Sequence, residues 1–126
     1  YNQILEDCKP FNVKELAYAR FKANEMVQAL MNEGIDVVSF GQGFYSMGAP
    51  TAEIERLVLN KQLNHGNDPV LSWMASNAVV KLDPAGNKKI DKAKSTEKVD
   101  GMVALAMAVG RAILGDEGAE PEVFFV

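Results

Sequence analysis

Apolar and polar positions along the chain change period several times, and each change marks an element. Residues 15–20 (ELAYAR) alternate over a short run, as a strand does. From Phe21 to Glu33, Ala23, Met26, Val27, Leu30 and Met31 recur at the spacing of an amphipathic helix, which Gly34 closes. Ile35 to Phe40 (IDVVSF) reads as a second strand. Strand, helix and strand with short joints form a βαβ unit, so the two strands are expected to run parallel in one sheet. In open α/β sheets, ligand sites gather at the carboxyl ends of the strands, where Ala19, Arg20 and Gly41-Gln42-Gly43 fall.

Beyond that loop, Thr51 is placed to cap a helix running to about Gln62, with Ile54, Leu57 and Val58 inward. Asp68-Pro69 starts another, on which Val70, Trp73, Met74 and Asn77 share a face. Val79–Leu82 and Lys88–Asp91 flank Asp83-Pro84-Ala85-Gly86, a turn sequence, and so predict a β-hairpin. A last helix is expected from about Thr96 to Leu114. The expected class is therefore α/β: a βαβ unit plus helices and a hairpin.

The composition narrows the candidates. With 126 residues, 48% of them apolar and 24% charged, the chain can bury a core of its own as a single domain. A net charge of -4 argues against the whole molecule being an electrostatic nucleic-acid binder, although a local basic patch remains open. One cysteine, Cys8, excludes an internal disulfide and any multi-cysteine zinc site, and fits a reducing compartment. No apolar run is long enough to span a bilayer. Tyr1 opens within what reads as a helix, so the chain is expected to be the carboxyl-terminal piece of a longer protein.

Four places carry candidate chemistry. Gly41-Gln42-Gly43 lacks the third glycine of a dinucleotide fingerprint and reads better as a strand-to-loop turn. His65 is the only histidine, so no triad or multi-histidine metal site can form around it, and a structured loop histidine is the favoured assignment. Trp73 and the scattered methionines are assigned to core packing by their helical spacing. Between Lys81 and Lys98, six lysines (Lys81, Lys88, Lys89, Lys92, Lys94 and Lys98) face three acids, Asp83, Asp91 and Glu97. Such an arm suits a polyanionic backbone, and equally a solvated hairpin.

Asp100 is the sharpest signal. At helical spacing it shares a face with Val103, Ala104 and Met107, which predicts a carboxylate pointing where the helix packs. Three accounts stay open: helix-terminus electrostatics, a buried pair with Lys94 or Lys98, or a divalent-metal ligand. The last needs further carboxylates converging from other elements.

The run from Gly41 to Ala112, above all LNHGNDPVLSWMASN and KSTEKVDGMVALAMA, resembles the nuclease domain at the carboxyl end of the large terminase subunit of tailed bacteriophages. The resemblance extends from about Leu16 to Ala112. It implies a partial RNase H-like fold and a metal-dependent endonuclease that cuts concatemeric phage DNA during packaging in the cytoplasm of the bacterial host. Implied partners are double-stranded DNA, the terminase small subunit and the portal; implied cofactors are Mg²⁺ or Mn²⁺. In the family a Lys-x-Asp-Gly segment opens the last helix with a metal-binding aspartate, here Lys98-Val99-Asp100-Gly101. A second acid lies in a Tyr-Asp-Arg-Trp pattern, matched here by Tyr18-Ala19-Arg20-Phe21, so alanine stands where the family has aspartate. The third acid belongs to a strand expected upstream of Tyr1, as does the ATPase motor. Little or no cleavage is therefore expected of this chain. A non-catalytic DNA- or portal-binding module is the alternative, using the lysine hairpin or the acidic-apolar tail (Glu120 to Val126). An exposed sheet edge and self-association follow if strands are missing.

Overall fold

The computed structural model describes residues 1–19, 24–95 and 97–115. The chain divides into two compact units, residues 1–41 and 42–126.

The first unit contains α1 (Asn2–Cys8), β1 (Leu16–Ala19), α2 (Asn24–Asn32) and β2 (Val37–Phe40). β1 and β2 are parallel neighbours, paired from Leu16↔Val37 to Ala19↔Phe40, as the strand-helix-strand pattern predicts. Both strands thus end at the same edge, with Ala19 aligned with Phe40. Among the described residues each strand pairs on one side only.

Gly34 ends α2 for a definite reason. Ile35 N–H reaches back to Leu30 O and Gly34 N–H to Met31 O, the paired bonds of a Schellman cap, which puts Gly34 at φ +83° where a side chain is strained. Val27 and Leu30 are buried, whereas Met26 and Met31 are exposed, so the apolar stripe is narrower than the spacing suggests. Arg20, Phe21 and Ala23 lie outside the described residues.

The second unit contains α3 (Phe44–Leu59), α4 (Pro69–Asn77), β3 (Val80–Leu82), β4 (Lys88–Ile90) and α5 (Asp100–Gly115). α3 corrects the expectation of a helix capped at Thr51. It begins seven residues earlier, passes through Pro50, and holds Thr51 in its buried interior, where the hydroxyl donates to Met47 O at 2.7 Å. Proline cannot donate to the carbonyl four residues back, which normally breaks a helix. Here Met47, Gly48, Pro50, Thr51 and Ile54 form the buried face of α3, which packs on α5 and β4, and that burial overrides the local penalty.

Asp68 caps α4 as predicted: one carboxylate oxygen accepts from Val70 N and Leu71 N, both at 2.9 Å, and Pro69 occupies the first turn, where no donor is needed. The inward residues are Leu71 and Asn77. Val70 and Trp73 are exposed, so core packing does not account for the tryptophan.

The hairpin β3–β4 is antiparallel, with Val80↔Ile90, Lys81↔Lys89 and Leu82↔Lys88 opposed. Asp83 organises its turn. Its carboxylate accepts from Ala85 N, Asn87 N and the Asn87 side chain, and Gly86 takes φ +84°. The Asn87 side-chain bond, followed by these backbone donors, holds the Asp83 carboxyl below its ordinary range. A depressed folded-state value means the turn's contribution to stability is complete above the ordinary carboxylate range and fades as pH falls through the folded value. Thermal midpoints of the parent and of Asn87→Ala, measured from neutral to acidic pH, are expected to differ most near neutrality and to converge in acid. A gap that widens in acid would contradict this role.

α5 is the central packing element. It lies on both α3 and α4 and buries Val103, Leu105, Ala106, Met107 and Val109. It starts at Asp100, not Thr96, which itself lies outside the described residues. No helix of the described chain is long and apolar enough to cross a membrane.

Candidate functional site

At the head of α5, Val99 is buried (4% exposed) and its carbonyl accepts from Met102 N at 3.0 Å and Val103 N at 3.1 Å, which sets the first turn. The strand of chain leading in is tethered by buried Asn77, whose side-chain amide donates to Lys98 O at 3.2 Å. Gly101 N–H lies 3.1 Å from Met74 Sδ on α4, and a Cβ on Gly101 would come to 2.7 Å from the same sulfur. Glycine at this place lets the first turn of α5 seat against α4. Gly101→Ala sets the gain in helix propensity, about 1 kcal/mol, against displacement of the Met74 thioether and the Leu71 methyl, and a net loss within about 1 kcal/mol is expected, measurable by denaturant unfolding and smaller when Met74→Ala is already present.

Asp100 follows directly from this seating, and it corrects the expectation of an inward carboxylate. Because Val99 and Gly101 are the residues held against the protein, Asp100 on the first helical position projects outward, and its side chain is 70% exposed. Its Oδ1 lies 3.5 Å from Lys92 Nζ, a lysine itself 58% exposed. The pair is neither buried nor with Lys94 or Lys98. At the surface such a pair contributes about 0–1 kcal/mol, and the negative charge is favoured by the amino terminus of α5.

Sequence reasoning passed over Asp91, which is only 6% exposed. Its Oδ1 accepts from Ala93 N at 3.0 Å and Lys94 N at 3.2 Å, while its backbone joins Val79 and Ser95, so it locks the exit of the hairpin. The signal was present in Asp91-Lys92-Ala93-Lys94, since aspartate favours bonding to backbone amides two and three residues on.

The six lysines are not presented alike. Lys88 pairs with Glu55 of α3 at 2.9 Å, and Lys92 with Asp100. Lys94 and Lys98 are exposed and make no ion pair among the described residues. Lys81 and Lys89 stand over the ring of Phe44, their Nζ atoms 5.7 Å and 5.2 Å from its centroid, and Lys89 Nζ also donates to Gln42 O at 3.1 Å.

Gly43 serves as the amino-terminal cap residue of α3, with open space where a Cβ would stand, so the glycine pair makes an ordinary strand-to-helix turn. His65 is the loop histidine expected: it precedes Gly66 and Asn67, both at positive φ, and its Nδ1 is buried without a hydrogen-bond partner among the described residues. In the first unit, Ala19 is the last residue of β1, half-buried and aligned with Phe40. A depression lined by Glu15, Met31, Asp36 and Val37 lies at the opposite, amino-terminal end of these strands.

The parallel βαβ unit, the hairpin and the acid-headed terminal helix place the chain in the RNase H-like α/β class. Residues 1–116 match the family described as "Terminase large subunit, endonuclease domain", and the chain belongs to that family. It is 41% identical over 111 residues to the large terminase subunit of Enterobacteria phage HK97, a match covering 86% of this chain and 22% of that protein. It is 32% identical over 120 residues to protein YmfN of Escherichia coli (strain K12), covering 90% of this chain and 26% of the other. The crystal structure of the HK97 large terminase superposes with a TM-score of 0.80 at 41% identity, over 88% of this chain and 24% of that one. The chain thus spans about a quarter of the length of these relatives.

Proposed function

We propose that this domain is the nuclease part of a terminase large subunit, of the kind that cuts concatemeric viral DNA during packaging in the host cytoplasm, and that this chain has little or no cleavage activity. One observation carries the second half: the group beside Asp100 is an ammonium, not a second acid. Among the described residues no three of histidine, cysteine, aspartate and glutamate come together to hold a metal ion. The donors among the described residues therefore do not match the Mg²⁺ or Mn²⁺ that the family resemblance implies. A lone carboxylate paired with lysine is a poor site for an ion that wants several oxygens. Asp100 is the family's metal-binding acid by its place in Lys98-Val99-Asp100-Gly101, and Ala19 occupies the place of a missing one.

The test is a calorimetric Mn²⁺ titration paired with nicking of supercoiled plasmid. Weak binding is expected, with a Kd on the order of millimolar or above, reduced further by Asp100→Asn, and plasmid is expected to stay intact. Plasmid cleavage in Mn²⁺ that Asp100→Asn abolishes would overturn the assignment of inactivity.

The second reading is a non-catalytic module of the packaging machinery that binds DNA or the portal. What favours its DNA version is the basic hairpin, where Lys81 and Lys89 have no carboxylate within ion-pair distance among the described residues. The tail from Glu120 to Val126, the other candidate contact, lies outside the described residues.

A further inference from the structure

Lys81 and Lys89 are directly opposed across the hairpin, so their side chains leave the same face, and like charges in that position repel. Nothing acidic offsets them: among the described residues neither has a carboxylate within 4 Å, while Lys88, on the other face, is paired with Glu55. What holds the two ammoniums is the π face of Phe44, with Gln42 O as an added acceptor for Lys89. A ring and one carbonyl orient both cations without neutralising either.

The surroundings add to the positive potential. Phe44 is the first residue of α3, a helix of 16 residues whose cap residue Gly43 supplies no side-chain acceptor and whose first turn contains no acid. The positive end of that helix therefore lies beneath the two lysines. Two uncompensated cations on an aromatic platform call for an anion that bridges them, and a phosphodiester has the charge and the paired oxygens to do so.

We infer that the Lys81–Lys89–Phe44 face of the hairpin grips the sugar-phosphate backbone of duplex DNA, independently of base sequence. The choice of DNA over other phosphate polymers rests on the nuclease-domain reading above. Lys81 and Lys89 position the duplex and take no part in bond cleavage. They differ in this from Lys88 and Lys92, each of which is held by a carboxylate.

The experiment is a fluorescence-anisotropy titration of a mixed-sequence duplex at a series of salt concentrations, with EDTA present so that no metal or cleavage enters. Each phosphate contact contributes roughly 0.9 to the slope of log affinity against log salt. Neutralising both residues (Lys81→Gln with Lys89→Gln) is expected to lower the slope by roughly 1–2. Retaining the charge (Lys81→Arg with Lys89→Arg) is expected to keep it, and Lys88→Gln to change it by less than the double neutral variant. The inference is overturned if the double neutral variant keeps the parent slope, if Lys88→Gln lowers it equally, or if the arginine variant loses it, which would mark a packing effect instead of a charge effect. Binding to an acidic polypeptide without binding to DNA would also overturn it. None of these outcomes bears on the Mn²⁺ titration, so this inference and the nuclease reading fail separately.

Discussion

Ala19→Asp is expected to bind Mn²⁺ on the order of tenfold or more tightly than the parent chain, because affinity for hard divalent ions follows the number and charge of oxygen ligands. Ala19 closes β1 at the carboxyl edge of the parallel pair, where α/β sheets present their functional groups, and a methyl group there offers no oxygen. The position is half-buried, so a carboxylate fits without full desolvation, and a folding cost within about 1 kcal/mol is expected. Ala19→Asn is the control, having the same shape without the charge. A gain with aspartate and none with asparagine, read by calorimetry, supports Ala19 as the lesion in a family acid position. No gain with aspartate leaves Ala19 as an ordinary strand-end residue.

Leu105→Ala is expected to lower the unfolding free energy by about 2–5 kcal/mol, the largest stability effect foreseen for one side chain in the second unit. Leu105 is 2% exposed, between Val103 and Ala106 on a helix that packs against both α3 and α4. With neighbours on two sides, the space left by three deleted carbons cannot be closed by one small shift. A fall in the thermal midpoint of roughly 10 °C or more follows for a chain of this size. Leu114, 65% exposed near the end of the same helix, provides the contrast: Leu114→Ala is expected to change stability by less than about 0.5 kcal/mol. Equal losses at the two positions would contradict the packing described for α5.

The places where sequence and structure part company share a cause. At Gly48 and Pro50, local signals end a helix, yet α3 runs through both because its buried face meets α5 and β4. Met26, Met31 and Trp73 sit at helical spacing but face outward, since periodicity states which residues share a side and not how wide a neighbour covers it. The same periodicity predicts an inward Asp100. It lies outward because the helix begins at that residue, and a first-turn side chain is governed by what its neighbours anchor. Asp91, counted only as a charge, proved to be a buried lock on the hairpin.

By itself the sequence determined the elements whose information is local: the strand-helix-strand order of the first unit, the Gly34 cap, the Asp68-Pro69 helix start, the Asp83–Gly86 turn, and the runs LNHGNDPVLSWMASN and KSTEKVDGMVALAMA that carry the family resemblance. Those depend on backbone preferences and hydrogen bonds within a few residues. The tertiary structure alone decided where α3 and α5 begin, that Asp100 meets Lys92 at the surface, and that Lys81 and Lys89 share one aromatic platform while Lys88 belongs to Glu55. These are relations between residues distant in sequence, set by which faces bury together, and no local pattern encodes them.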